Sequence, residues 1–165
     1  MKQLMIIGTD TDVGKTYVSG LILKKLQENG KKAVYFKAAM SGNVHLTDGS
    51  LLPGDANFVK TISGISQPLA DMCPYVYETA VSPHLAAKIE GNPIEWEKIQ
   101  ETYDTLCGTY DFVTVEGSGG ILCPLRHDET ASFSLADFVK SQHLSCLLVA
   151  DAGLGTLNHL SLIHI

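Results

Sequence analysis

The sequence predicts an α/β fold, a doubly wound and mostly parallel β-sheet with helices on both faces. Three observations predict it. Short apolar runs alternate with segments of helical spacing along the chain, the pattern that builds parallel sheets. Two of those runs, Phe112-Val113-Thr114-Val115 and Cys146-Leu147-Leu148-Val149-Ala150, are continuous rather than alternating, as strands covered on both faces are. The first run, Leu4-Met5-Ile6-Ile7, passes through GTDTDVGKT (8–16) into a helical segment, the strand, loop and helix of a phosphate-binding loop.

The elements follow in order. The first strand ends over Met5 to Gly8, and a helix is expected from Thr16 to Asn29, stopped by Gly30. Lys32 to Lys37 reads as a second strand. Residues 41–54 are polar and carry Gly42, Gly49, Pro53 and Gly54, so a loop is expected, followed by a helix over Asp55 to Ser63. Ser82 and Pro83 give a helix start, with the serine as cap and the proline at the first helical position. Pro93 to Leu106 is amphipathic. Residues 112–115 form a strand, Ser134 to Lys140 a helix, 146–150 a further buried strand, and Thr156 opens another helix.

The loop at 8–16 carries the chemistry. Backbone N–H groups around Gly14 and at the helix N-terminus converge on one point, and the helix dipole favours an anion there. Lys15 adds a charge that reaches a β- or γ-phosphate, and the Thr16 hydroxyl suits a Mg²⁺ ion. A glycine turn before an ordinary helix, with Lys15 solvated, is the structural alternative, and the order of elements disfavours it. Five residues separate Gly8 from Gly14 where the general pattern has four, and Thr9 stands where its first glycine belongs. The misfit points to a particular branch of these proteins.

Composition narrows the classes. With 165 residues, 45% of them hydrophobic, the chain holds one compact domain with a real core. Twelve basic against 18 acidic side chains leave a net charge of −6, which argues against a nucleic-acid or anionic-membrane partner. No apolar run reaches membrane-spanning length, and the start lacks signal-peptide features, so the expected compartment is the cytoplasm. The four cysteines, Cys73, Cys107, Cys123 and Cys146, form no C-x-x-C pair, and reduced, mostly buried thiols are expected.

Ligands of doubly wound sheets bind beyond the carboxyl ends of the strands. Lys37, Glu116 and Asp151 sit directly at three of those ends, each followed by small residues that let backbone approach a ligand. Taken singly each is as easily a solvated loop charge; their recurrence on the edge that carries Gly14-Lys15-Thr16 favours a site.

Together these pieces resemble dethiobiotin synthetases: GTDTDVGKT at 8–16, Lys37 with Ser41-Gly42, Gly54-Asp55-Ala56, Ser82-Pro83-His84, VEGSGG at 115–120, Asp137-Phe138 and LGTLNH at 154–159. The five-residue loop spacing is that family's own form. The resemblance implies ATP-dependent closure of the ureido ring of dethiobiotin from 7,8-diaminononanoate and carbon dioxide, with release of ADP and phosphate. It implies a nucleotide site at Asp12, Val13, Gly14, Lys15, Thr16, Tyr17, Asp55, Glu116, Gly117, Ser118 and Gly119, with Thr16, Asp55 and Glu116 as Mg²⁺ ligands. Lys15 and Lys37 would be catalytic, Lys37 facing the carbamate and the transferring phosphoryl group, and Ser41 would bind the carbamate. Family members often carry Glu where Asp12 stands. Gly155, Thr156, Leu157 and Asn158 match a helix start that holds the substrate carboxylate from a partner subunit, so a homodimer is implied. Asp55 as a simple helix cap, Ser41 as a turn residue and His84 as part of a helix start are the structural alternatives.

The family continues beyond this length with segments that read the adenine base. Residues 1–159 read as an incomplete synthetase domain, and Leu160 to Ile165 read as a foreign tail encoded by one frame of a sequencing-transposon end. Two other readings stay open. The synthetase domain of a cobyrinate-type amidotransferase shares this architecture. A partitioning-type ATPase switch carries a second lysine early in its loop, which Thr9-Asp10-Thr11-Asp12 lacks.

Overall fold

A computed structural model describes residues 2–164. Its centre is a four-stranded, wholly parallel sheet made of β1 (Lys2–Gly8), β2 (Ala33–Phe36), β5 (Phe112–Glu116) and β8 (Cys146–Val149), in the order β2-β5-β1-β8. Helix α1 (Lys15–Glu28) follows β1, and α2 (Gly54–Ser63), α3 (Pro83–Ile89) and α4 (Trp96–Thr109) lie between β2 and β5 in sequence. α5 (Leu135–Ser141) precedes β8, and α6 (Thr156–His164) closes the described chain. Two small hairpins complete it, β3 (Val44–His45) with β4 (Leu51–Leu52) and β6 (Pro124–His127) with β7 (Ser132–Ser134). None of the described helices is long and apolar enough to cross a membrane. Ile165, the last residue of the expected foreign tail, lies outside the described residues.

The expected parallel sheet is present, and each face of it covers a separate core. Side chains alternate along a strand, so Val34 and Phe36 of β2 enter one core with Val113, Val115, Tyr103 and Phe138. Tyr35 enters the other with Leu23, Val59 and Met72, against α1 and α2. The register pairs Tyr35 with Thr114 and Phe36 with Val115. One step further along, Lys37 and Glu116 therefore fall side by side on the α1–α2 face, at the carboxyl ends of adjacent strands.

Several boundaries depart from the sequence reading for local reasons. Helix α4 starts at Trp96 rather than Pro93, because Glu95 is extended and its N–H donates to the Tyr75 hydroxyl at 2.9 Å. The loop at 41–54 is not irregular throughout: β3 and β4 pair across it, with Asp48 accepting from the Ser50 N–H at 2.9 Å to fix the turn. The β6–β7 hairpin has no apolar alternation to announce it. Asp128 holds it, accepting from the N–H groups of Thr130 and Ala131 at 2.8 and 2.9 Å and from Arg126 Nε at 2.7 Å. The Thr130 hydroxyl, which also donates to Asp128 at 2.6 Å, and then Arg126 and the two N–H groups hold the Asp128 carboxyl well below its ordinary range. Ser82 occupies the cap position before Pro83, but its hydroxyl makes no capping bond. A capping box stands instead at α5, where Ser134 and Asp137 bond each other's N–H groups.

Strand β8, expected to be buried, is an edge strand among the described elements. Leu147 and Leu148 are 40% and 36% exposed, since β1 pairs it on one side only and the described helices leave its faces partly open. The cysteines differ in the same way. Cys73 alone of the four is buried, Cys107 and Cys123 are half-buried, and Cys146 on β8 is exposed.

Phe138 is the hub of the larger core, with ring contacts to Phe36, Trp96 and Tyr103 at centroid distances of 6.1, 6.1 and 5.3 Å. Truncating a fully buried phenylalanine removes transfer energy and leaves a cavity. Phe138→Ala is expected to lower unfolding free energy by about 3–5 kcal/mol, measured by urea denaturation.

Candidate nucleotide and acceptor site

The loop after β1 is built around residues without side-chain bulk. A Cβ on Gly8 would stand 2.8 Å from Val13 Cγ2, 2.9 Å from Lys15 Cδ and 3.0 Å from the Asp10 carbonyl oxygen. Glycine there lets the loop fold back over the strand end. Asp12 and Gly14 take left-handed conformations, with φ of 59° and 97°. Such backbone is open to glycine and tolerated by aspartate, and the turn at Gly14 aims the first N–H groups of α1 into the loop. Lys15 is buried and donates from Nζ to the Asp10 carbonyl at 2.6 Å. Burial first, and then the charge of Lys37, pull its ammonium below the ordinary value, against Glu116, Asp55 and Asp12.

Beside the loop, a buried cation is gripped by two carboxylates. Lys37 Nζ stands 2.5 Å from Asp55 Oδ2 and 3.0 Å from Glu116 Oε1. Burial alone would lower the Lys37 ammonium, but the two carboxylates and their hydrogen bonds outweigh it and raise it. Glu116 is itself buried. Its Oε1 also accepts from the Thr16 hydroxyl at 2.8 Å, and its Oε2 accepts from the Ser19 hydroxyl at 2.9 Å. Thr16, Asp55 and Glu116 thus bring a hydroxyl and two carboxylates to one place, hard oxygen donors of the kind Mg²⁺ takes. Asp55 is no mere cap, since its carboxylate bonds Lys37 rather than the backbone of α2.

Two cavities meet at this cluster. One, of about 240 Å³, is lined by Asp12, Gly14, Lys15, Thr16, Lys37, Asp55, Glu116 and Gly119, together with Thr11. The other, of about 450 Å³, is lined by Ser41, Gly42, Ser82, Pro83, Ser118 and Cys123 among others. Lys37, Asp55, Thr11 and Gly119 line both. Ser41 and Ser118 face the second cavity with their hydroxyls bonded to carbonyls, Ser41 to Val81 at 2.6 Å and Ser118 to Ala39 at 2.7 Å.

Other expected site residues stand apart. Val13 packs on Gly8, and Tyr17 is 54% exposed on α1. Gly117 has a packing reason to be glycine, because a Cβ there would meet Leu135 Cδ2 at 2.5 Å and Met5 Cε at 3.2 Å. Asp151 is exposed, and Gly155, Thr156, Leu157 and Asn158 open α6 outside the linings of both cavities.

The sequence reading missed three contributors. Thr11 lines both cavities although it fell within the quoted motif. Ser19 lies one helical turn after Lys15, and that i+4 spacing is the signal that it shares the face of α1 turned to the sheet. Asn43 is buried, donates to the Met40 and Tyr77 carbonyls at 3.0 and 2.9 Å, and accepts from the Gly54 N–H at 2.9 Å. It thereby ties the loop after Lys37 to the start of α2, which carries Asp55. Only the fold brings positions 43 and 54 together, so sequence held no signal for it.

A parallel sheet with a glycine-lysine-threonine loop at the end of β1, and paired carboxylates beside it, defines a P-loop nucleotide-binding domain. The family described as an AAA domain matches residues 2–164. The chain is 50% identical over 156 residues to the ATP-dependent dethiobiotin synthetase BioD of Clostridium novyi, covering 94% of this chain and 65% of that protein. The corresponding protein of Clostridium kluyveri is 45% identical over 158 residues, covering 96% and 65%. That of Brachyspira hyodysenteriae is 44% identical over 157 residues, covering 95% and 69%. The chain belongs to the dethiobiotin synthetase family, and it spans about two thirds of the length of these relatives.

Gly8→Ala is expected to displace Val13 and the Asp10 carbonyl and to weaken ATP binding at least about tenfold, equivalent to about 1.4 kcal/mol, measured by calorimetric titration.

Proposed function

We propose that the protein closes the ureido ring of dethiobiotin, using ATP, carbon dioxide and 7,8-diaminononanoate. The single observation that carries this reading is that Lys37 and Asp55 form a common wall between the loop cavity and its neighbour. A phosphoryl group passing from a nucleotide on one side to an acceptor on the other crosses at Lys37.

Phosphoryl transfer needs positioning and charge neutralisation more than covalent help. Lys15 leaves the Asp10 carbonyl for the β- and γ-phosphates, whose charge is a better partner than a neutral oxygen. Thr16, Asp55 and Glu116 would hold Mg²⁺, which supplies neutralisation of the phosphate oxygens when bound. In the second cavity one substrate amine has taken up carbon dioxide as a carbamate, with Ser41 beside it. The carbamate oxygen attacks the γ-phosphorus and ADP leaves. The second amine then attacks the carbamoyl carbon, the ring closes and phosphate departs. Lys37 faces the carbamate and the moving phosphoryl group, where negative charge is greatest, and the Glu116 and Asp55 carboxylates beside it favour its cationic form.

The start of α6, Gly155 to Asn158, is assigned to the carboxylate of a substrate bound in a partner subunit, an anion at a helix N-terminus. A homodimer follows from that assignment. The names of the relatives favour the synthetase over an amidotransferase domain or a partitioning-type switch.

Diaminononanoate is expected to drive ADP release in the presence of bicarbonate and Mg²⁺, followed by a coupled assay; ADP release indifferent to the diamine overturns the reading. Lys37→Ala is expected to lower kcat by about 10²–10³-fold or more, while ATP affinity measured by titration stays largely intact. Normal turnover in that variant removes Lys37 from the mechanism.

A further inference from the structure

Thr16, Lys37 and Ser19 donate hydrogen bonds to Glu116 and are not equivalent, and the buried Tyr35 hydroxyl lies close to the same carboxylate. Thr16 and Lys37 both reach Oε1, and both line the loop cavity. On the proposed function, Thr16 would turn to Mg²⁺ and Lys37 to the transferring phosphoryl group. Ser19 reaches the other oxygen, Oε2, at 2.9 Å, and is wholly buried beneath α1, outside the cavity lining. Its hydroxyl has one proton and two acceptors at 2.9 Å, Glu116 Oε2 and the Lys15 carbonyl. A serine inside a helix ordinarily bonds the carbonyl one turn back; here the carboxylate competes for that proton, and a charged acceptor makes the stronger bond.

We infer that Ser19 is a positioning residue for Glu116: it anchors Oε2 from the protein side so that Oε1 stays turned to the phosphate loop when Thr16 and Lys37 engage the nucleotide. The register supports it. Lys37 and Glu116 end adjacent strands on the face that α1 covers, and Ser19 is the α1 side chain over that point. Without Ser19 the buried Oε2 atom loses the hydroxyl that anchors it, and the carboxylate is freer to turn away from the metal position. Groups that orient metal ligands from behind typically change metal affinity by about 10–100-fold when removed.

The inference rests on the nucleotide and metal part of the proposed function and is independent of the acceptor substrate. Mn²⁺ affinity of the protein complexed with a non-hydrolysable ATP analogue, followed by electron paramagnetic resonance with no diamine present, tests it. Ser19→Ala is expected to weaken Mn²⁺ about tenfold, and Ser19→Thr, which keeps the hydroxyl, to restore most of that loss. Alanine is the better helix former, but the buried carboxylate loses a donor, so thermal unfolding of both variants is followed in parallel and Mn²⁺ affinity is read well below the unfolding transition. Mn²⁺ affinity within twofold of the parent in Ser19→Ala, equal weakening in both variants, or no Mn²⁺ binding by the parent each overturn the inference. Diamine-independent ADP release by the parent would instead overturn the synthetase reading and leave the role of Ser19 standing.

Discussion

The grip of Asp55 and Glu116 on the buried Lys37 ammonium is the interaction on which the site depends. A lone ammonium in the interior carries a large desolvation penalty, and so does a lone carboxylate. Together they are compensated: removing Lys37 leaves the buried Glu116 with hydroxyl partners but no counter-charge, and removing Glu116 leaves Lys37 with only the half-exposed Asp55. The three groups come from different parts of the chain: the end of β2, the first turn of α2 and the end of β5. Their mutual attraction therefore fixes the relative placement of three elements at the proposed site of phosphoryl transfer. Ion clusters of this kind contribute little to net stability. Retaining one here fits the proposed reaction, in which a cation held between the two cavities meets phosphate charge with little rearrangement of solvent.

The surroundings serve that cluster. Two apolar cores on opposite faces of the sheet hold β2 and β5 in register, and that register alone sets Lys37 beside Glu116. Asn43 fastens the start of α2, so that Asp55 meets Lys37 from the side. Gly8 leaves room for the loop to close over the strand end. Each is a packing or hydrogen-bonding device whose consequence is felt at one ammonium group. The edge at β8 and the start of α6 are, by contrast, open in the single chain, with Leu154 and Leu157 largely exposed. The proposed carboxylate site shared between subunits fits that openness.

Much of the fold was legible because its signals are local. Continuous apolar runs at 112–115 and the strand-loop-helix at 4–29 follow from side-chain period and turn chemistry. Lys37, Glu116 and Thr16 were legible as candidates because carboxyl strand ends and a glycine-lysine-threonine loop have fixed meanings in a doubly wound sheet, whereas Asp55, in the first turn of α2, was named only by the family resemblance. The β6–β7 hairpin was not, since Asp128 and Arg126 hold it by hydrogen bonds rather than by apolar alternation. The start of α4 shifted because the Tyr75 hydroxyl, twenty positions earlier, takes the Glu95 N–H. The exposure of β8 was illegible too: Leu147 and Leu148 read as core residues until strand order showed which side of β8 has a partner.

The sequence by itself determined the parallel α/β class, the phosphate loop and the identity of the charged groups at the strand ends, because propensity, periodicity and turn geometry act over a few neighbouring residues. The tertiary structure alone decided that Lys37 lies between Asp55 and Glu116, that Ser19 backs Glu116 from α1, and that two cavities share one wall. Those facts depend on strand register and helix docking, which are set by how two cores pack across the whole domain, and no local pattern encodes them.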